Sequence, residues 1–224
     1  MTDGWHSVES KSAAECRGLT ASKLPELVLF APERRGEHAT GDLPTHVRTP
    51  EGDEMPVFAE RLAQEIGRRY GAAVQMMHLR HGIFDEASIS VIASATVAEI
   101  ERLAGRSLDV RQFRPNVVVR LLRSLPFQED KWLGGVLRFG EGDDAPAVAV
   151  TLRDERCAMV NLDPDTARPA PEVMKAVVRR NQNNAGIYAA VVRAGRVAIG
   201  QTVFFGETAG ITNTGDVVLP RAAR

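Results

Sequence analysis

Apolar positions in this chain fall mostly into short runs punctuated by glycine and proline, and only three stretches carry a helical period. Residues 57–70 are the first, with Phe58, Leu62, Ile66 and Tyr70 recurring every four positions and Gly71 placed to stop the helix. The second starts at Thr96, where Thr96-Val97-Ala98-Glu99 has the form of a capping box with Val97, Ile100 and Leu103 behind it. Pro171 opens the third, through Val173, Val177 and Val178. Residues 27–30, 45–49 and 74–79 read as strands, and 89–92 fits a strand or a helix start. Residues 117–122, 136–139, 148–152 and 157–162 follow as strands in succession, with the acidic Gly140-Glu141-Gly142-Asp143-Asp144 as a hairpin loop. Residues 187–192, the turn at Ala194-Gly195 and residues 197–205 read as a closing hairpin. Many short strands interrupted by about three peripheral helices predict an α+β, β-rich fold, either a barrel or a curled sheet.

Composition narrows the partners more than the fold. The formal charge of −1 on 224 residues gives no global attraction to nucleic acid or to an acidic membrane. Only four of the 28 basic residues are lysine, an arginine bias that a GC-rich coding genome explains. Two cysteines, Cys16 and Cys157, are too few for a disulfide scaffold or for a structural zinc site by themselves. No secretory signal pattern and no run of about 20 apolar residues is present, so the expectation is a cytoplasmic protein with reduced thiols. No internal repeat and no clear linker divide the chain.

Two short blocks carry the candidate chemistry. In Arg156-Cys157 a cation beside a thiol favours the thiolate, the form that binds metals, carries persulfide sulfur or attacks electrophiles. A buried, inert cysteine is the competing reading. In Arg114-Pro115-Asn116 a forked cation and an amide on a stiffened turn suit a phosphate or a pterin edge, against the alternative of a plain solvent-facing turn. His78 and His81 lack a third ligand nearby, which argues against zinc. Asp163-Pro164-Asp165-Thr166 reads as a turn. Hydrolase, nucleotide-loop and dinucleotide fingerprints are missing.

Taken in order, the blocks resemble the MOSC domain, named for the C-terminal domain of molybdenum cofactor sulfurase. The resemblance runs from Phe84-Asp85 and residues 94–103 to Phe113-Arg114-Pro115-Asn116. It continues through Phe127-Gln128-Glu129-Asp130-Lys131-Trp132-Leu133-Gly134, similar to the family's acidic-Trp-x-Gly stretch. Arg156-Cys157 to Asp163-Pro164-Asp165-Thr166 and the strands from Gly186-Ile187-Tyr188 to Val203 complete it. It implies a MOSC-type barrel and a resemblance to members such as the mitochondrial amidoxime reducing component, in which the matching cysteine ligates molybdenum. Carried over, Cys157 becomes the catalytic metal ligand, and Arg114, Asn116, Asp85 and Arg156 contact the molybdenum cofactor (a molybdopterin).

The resemblance implies reduction of N-hydroxylated or N-oxide small molecules, with electrons from a redox partner protein. Its alternatives are pyridoxal-phosphate-independent sulfur transfer through a Cys157 persulfide, or a degenerate, non-catalytic binding module. The family's early Pro-Val-Lys-Ser strand and Gly-Asp-Arg block are not found intact. Residues 1–82 are accordingly expected to be a remnant of the barrel's first part plus a helix, with the core over 83–206, a tail over 207–224, and all three forming one unit. A shortened start would leave an open sheet edge, to be covered by a second copy or another chain. Glu155, two positions before the thiol, and Gln201, in place of a frequent aspartate, are further departures.

Overall fold

The computed structural model describes residues 7–9, 18–35, 44–77, 87–207 and 217–220. They fall into two compact units. The smaller holds the described residues up to 77 together with 162–169, and the larger holds the rest.

In the smaller unit, β1 (Ser7–Glu9) pairs with β2 (Gly18–Leu19) and with a later strand, while β3 (Ala31–Glu33), β4 (His46–Arg48) and β5 (Glu54–Pro56) form a separate antiparallel sheet. Helix α1 (Glu60–Tyr70) and β6 (Val74–Met76), the partner of β1, follow. Leu62 and Ile66 enter the core with Leu19, Leu24, Val47, Met55 and Val57, whereas Phe58 precedes the helix and is exposed. Gly71 ends α1 in the left-handed region at φ 79°, a conformation that costs glycine little. Residues 27–30, expected as a strand, lie instead in a 3₁₀ turn over Pro25–Leu29 and its C-cap, Phe30. Proline at its first turn sets a helical φ, and the apolar run there is too short to impose a strand period.

A cationic knot fastens this unit. The Arg69 side chain, 9% exposed, pairs with Glu26 at 2.6 Å, with Glu65 at 2.7 Å and with Glu51, and lies 5.4 Å from the Phe30 ring centroid. Hydrogen bonds from Arg68 and then Arg69 hold the Glu65 carboxyl down at about 2. Its folded pKa is depressed, so the stabilisation is present above the ordinary carboxylate range and is lost as pH falls toward 2. Arg69→Met is expected to destabilise the protein by about 2 kcal/mol, a value held down by the solvent around Glu26 and Glu51. Urea unfolding at pH 7 and pH 3 should show that loss shrinking at the lower pH, and an equal loss at both would contradict it.

The larger unit is a closed barrel. Its strands are β7 (Ile89–Ala93), β8 (Val117–Leu121), β9 (Gly135–Phe139), β10 (Ala147–Glu155), β11 (Asn184–Arg193), β12 (Val203–Glu207) and β13 (Val217–Pro220). They pair in the ring β10-β11-β7-β8-β13-β12-β9, which β9 closes onto β10. Only β7 and β8 run parallel, with helix α2 (Ser94–Ala104) in the connection between them. The open edge expected of a shortened barrel is therefore missing from this sheet, because the described strands pair all the way round. The segment read as a tail supplies β13, between β8 and β12. No helix among the described residues is long and apolar enough to cross a membrane.

Two apolar layers explain the sequence pattern. Val91, Ala93, Val119, Leu137, Val148, Val150, Ile187 and Val203 fill one, with Trp132. Ile92, Val97, Ile100, Phe113, Val173, Val177 and Ala185 form the other, around α2 and helix α3 (Pro171–Asn181). Because β7 feeds both layers its burial does not alternate, with Ser90 to Ala93 all buried, which is why 89–92 carries no period of its own. The closing hairpin is corrected: β11 pairs with β10 and β7, and β12 with β9 and β13. The capping box is corrected too. Helix α2 starts at Ser94, the Thr96 hydroxyl accepts the Phe127 N–H at 2.7 Å, and Glu129 Oε1 accepts the Ala93 N–H at 3.1 Å. A carboxylate from a distant segment thus does the capping, at the positive end of the helix.

Glu129 is fully buried, and burial pushes its carboxyl above the ordinary range. With the folded pKa raised, its favourable contribution is complete below the unfolded value and is lost as pH rises through the folded one. Glu129→Gln keeps the acceptor for Ala93 and removes the charge. Relative to wild type, this variant should gain stability between pH 4.5 and pH 7.5 in urea titrations, and a relative loss over that range would refute the reading.

Candidate functional site

The thiol sits just after β10, and the chain there turns rather than continuing as a strand. Residues 157–162, expected as a strand, form a 3₁₀ turn over Ala158–Asn161 that Cys157 opens with its carbonyl, accepting the Val160 N–H at 3.3 Å. Asn161 anchors the far end of the turn. Its carbonyl accepts the Ala170 N–H at 2.7 Å and its Oδ1 accepts the Met174 N–H at 2.9 Å, in the first turn of α3. Cys157 itself is an exposed, free thiol. The buried, inert reading of this residue fails on that observation.

The Arg-Pro-Asn block follows a second 3₁₀ turn, Val110–Phe113, capped by Asp109 and Gln112 in a reciprocal box. Arg114 leaves it in the left-handed region, φ 47° and ψ 43°, with its side chain exposed and in no ion pair among the described residues. Asn116 fastens β8 to β7: its N–H donates to the Ser90 carbonyl at 2.9 Å, and its Oδ1 accepts the Ser90 N–H at 2.8 Å.

Side chains join the two blocks directly. Arg156 Nη1 donates to the Phe113 carbonyl at 2.7 Å, and Gln112 Nε2 donates to the Val160 carbonyl at 3.0 Å. The rest of the Arg156 fork turns to the Ala185 carbonyl, through Nε at 2.7 Å and through Nη2, and to Asp154 Oδ2 at 2.7 Å. Asp154, 1% exposed, also accepts the Ser90 hydroxyl at 2.8 Å. A continuous hydrogen-bonded chain therefore runs from half-buried Asn116 through buried Ser90, Asp154 and Arg156 to Phe113. Burial lowers the Arg156 pKa and the Asp154 carboxylate opposes that shift.

The acidic-Trp-x-Gly stretch lies in the same unit. Asp130 Oδ2 accepts from Asn181 at 2.8 Å and pairs with Arg153 at 3.0 Å, linking that stretch to α3 and β10. Glu155 is exposed and accepts from Asn183 Nδ2 at 3.2 Å, so this departure is bound to a neighbour. Gln201 is bound likewise, donating to the Phe139 carbonyl at 2.9 Å and accepting the Ala198 N–H at 3.0 Å. Asp85, His78 and His81 lie outside the described residues. No group of three or more potential metal ligands occurs among those described.

The MOSC-domain family profile matches residues 60–204 of the 224. The chain belongs to the MOSC-domain family. A crystal structure of the YuaD protein from Bacillus subtilis is similar at 15% identity and a TM-score of 0.42, covering 89% of this chain and 91% of that one. No curated protein matches the chain.

A MOSC domain is of the molybdenum-cofactor-binding type, and the residues present suit such a group in two respects. The pterin brings sulfur ligands of its own, so one accessible thiolate is enough from the protein, and Cys157 is accessible. An uncommitted guanidinium suits the cofactor's phosphate, and Arg114 supplies it. Arg156 and Asn116, expected as cofactor contacts, make the internal bonds just described. Asp154 and Ser90 were missed by sequence reasoning. The one signal for Asp154 was a charged pair two positions apart, Asp154 and Arg156, on one face at the end of an apolar strand.

Proposed function

We propose that this MOSC-domain protein binds molybdenum cofactor through the Cys157 thiolate and reduces N-hydroxylated or N-oxide small molecules, with electrons from a separate redox protein. One observation carries the reading. The exposed thiol and the exposed Arg114 stand at the ends of two segments that Arg156 and Gln112 bind together.

The bound metal would supply two-electron oxygen-atom chemistry. The chain's part is to hold and to orient. The Asn161 anchors fix the turn that presents the Cys157 sulfur, and Arg114 offers its fork to a phosphate. Asp130, Arg153 and Asn181 tie the end of β10 to α3. Overall, an N-hydroxylated substrate would take up two electrons and two protons and release water.

Reduced viologen as electron donor and an aryl amidoxime as substrate test the activity. Wild-type protein from a cofactor-competent host is expected to oxidise the viologen with formation of the amidine, and Cys157→Ser to lose this. Equal rates in the two proteins would contradict the proposal. A Cys157 persulfide found in metal-free, folded protein would replace it with sulfur transfer.

A further inference from the structure

Ile199 sits at the tip of a tight turn, where polar residues, glycine and proline are the rule. The Gln201 N–H donates to the Ala198 carbonyl at 3.2 Å, closing a turn with Ile199 and Gly200 at its centre. Gly200 has φ +89°, the conformation that a type II turn requires of its third residue. Ile199 is 72% exposed, more than any other large apolar side chain among the described residues. Val191, Val192 and Val197 are exposed as well, so four of the eleven such side chains fall within nine residues. A single exposed apolar residue needs no explanation, but a concentration of this kind marks an interaction surface.

The turn is fixed. Gln201 Nε2 donates to the Phe139 carbonyl at 2.9 Å, and its Oε1 accepts the Ala198 N–H at 3.0 Å. The Gly140 N–H donates to the Thr202 carbonyl at 2.8 Å, and Arg193 Nη1 donates to the Ala145 carbonyl at 2.9 Å. Gly195 lies against Pro146, where an added Cβ would come within 2.5 Å of the ring. These contacts stitch the connection from β11 to β12 onto the loop between β9 and β10. A surface held in one shape beforehand loses less entropy on docking.

Charge says what docks there. The β9–β10 loop carries Glu141, Asp143 and Asp144, all exposed, and the apolar segment carries exposed Arg196. None of these groups is in an ion pair among the described residues, although the two segments are bonded side by side. An apolar tip with an acidic segment and a cation beside it is complementary to a copy of itself turned through a two-fold axis.

We infer that the barrel end formed by residues 140–146 and 194–202 is the interface of a homodimer. Val197 and Ile199 of the two copies pack together, and Arg196 of each copy faces Asp143 and Asp144 of the other. Few residues take part, so the association is expected to be weak, with a dissociation constant on the order of 10 µM.

Sedimentation velocity on the full chain tests this, from about tenfold below that concentration to about tenfold above it. Wild type should pass from monomer to dimer across the range. Ile199→Asp changes an exposed turn residue, so it should leave the fold intact and weaken the dimer at least about tenfold. Arg196→Glu, and separately Asp143→Arg with Asp144→Arg, should each be monomeric alone, because like charges then face each other. Mixed in equal amounts, these two proteins should form a heterodimer, because each meets its opposite. A wild type that stays monomeric throughout overturns the inference, and so does a dimer of undiminished affinity in Ile199→Asp. A mixture of the charge variants that stays monomeric overturns the pairing of Arg196 with the two aspartates.

Discussion

Replacing Arg156 with methionine is expected to cost about 4 kcal/mol of folding stability, the range for breaking a buried ion pair from one side. Methionine has similar length and fills much of the space, so the loss is not a cavity. It leaves Asp154, 1% exposed, as an uncompensated charge, and strips donors from the carbonyls of Phe113 and Ala185. Hydrogen bonds from a charged donor contribute more than neutral ones, and an orphaned buried acceptor loses its water without replacement. Adding Asp154→Asn to the methionine variant should recover a substantial part of the loss, since the isolated charge is then gone. Urea unfolding at constant slope measures both, and a cost under about 1 kcal/mol for the single variant would show that the two groups are not the buried pair described.

Trp132→Ala is expected to be of similar size, about 4 kcal/mol, for a different reason. The ring is 1% exposed inside the barrel layer and stacks on Phe205 at 6.0 Å between centroids, with an interplanar angle of 27°. Deleting it removes the transfer energy of a large aromatic and opens a cavity that the surrounding strands cannot close. Leu133, its exposed neighbour, gives the control: Leu133→Ala should change stability by less than about 0.5 kcal/mol. Comparable effects from the two substitutions would contradict the placement of Trp132 in the core.

What could be read from the sequence depended on whether a local period or a motif was present. Leu62 and Ile66 with Gly71 marked α1, and Pro171 with Val173 and Val177 marked α3, because one face of each is buried and the other is wet. Strand β9 was legible for the same reason, with Leu137 and Phe139 turned inward and Arg138 between them less so. Strand β7 was ambiguous because both its faces are covered. The turn after Cys157 read as a strand because Met159, Val160 and Leu162 are apolar, although 3₁₀ bonding and the Asn161 anchors decide its course. Barrel closure through β13 is a long-range pairing, and no local pattern announces it.

The candidate site divides in the same way. Cys157 and Arg114 stood out as residue types suited to the chemistry, and the structure leaves both of them exposed. Arg156 and Asn116 looked equally suitable in sequence. What the sequence did not display is their surroundings: Arg156 faces two carbonyls and a carboxylate, and Asn116 is bound to Ser90. Ser90 and Asp154, which complete that arrangement, lie 64 positions apart. A motif records the residues at a site, and the groups that hold them in place come from distant strands.

Molybdenum content by elemental mass spectrometry tests the central claim most directly, on protein expressed in a host that makes the cofactor. The account predicts about one molybdenum per chain, held by the Cys157 thiol, with loss of the metal in Cys157→Ser that remains folded. Molybdenum retained in full by that variant, or missing from folded wild-type protein, would contradict it.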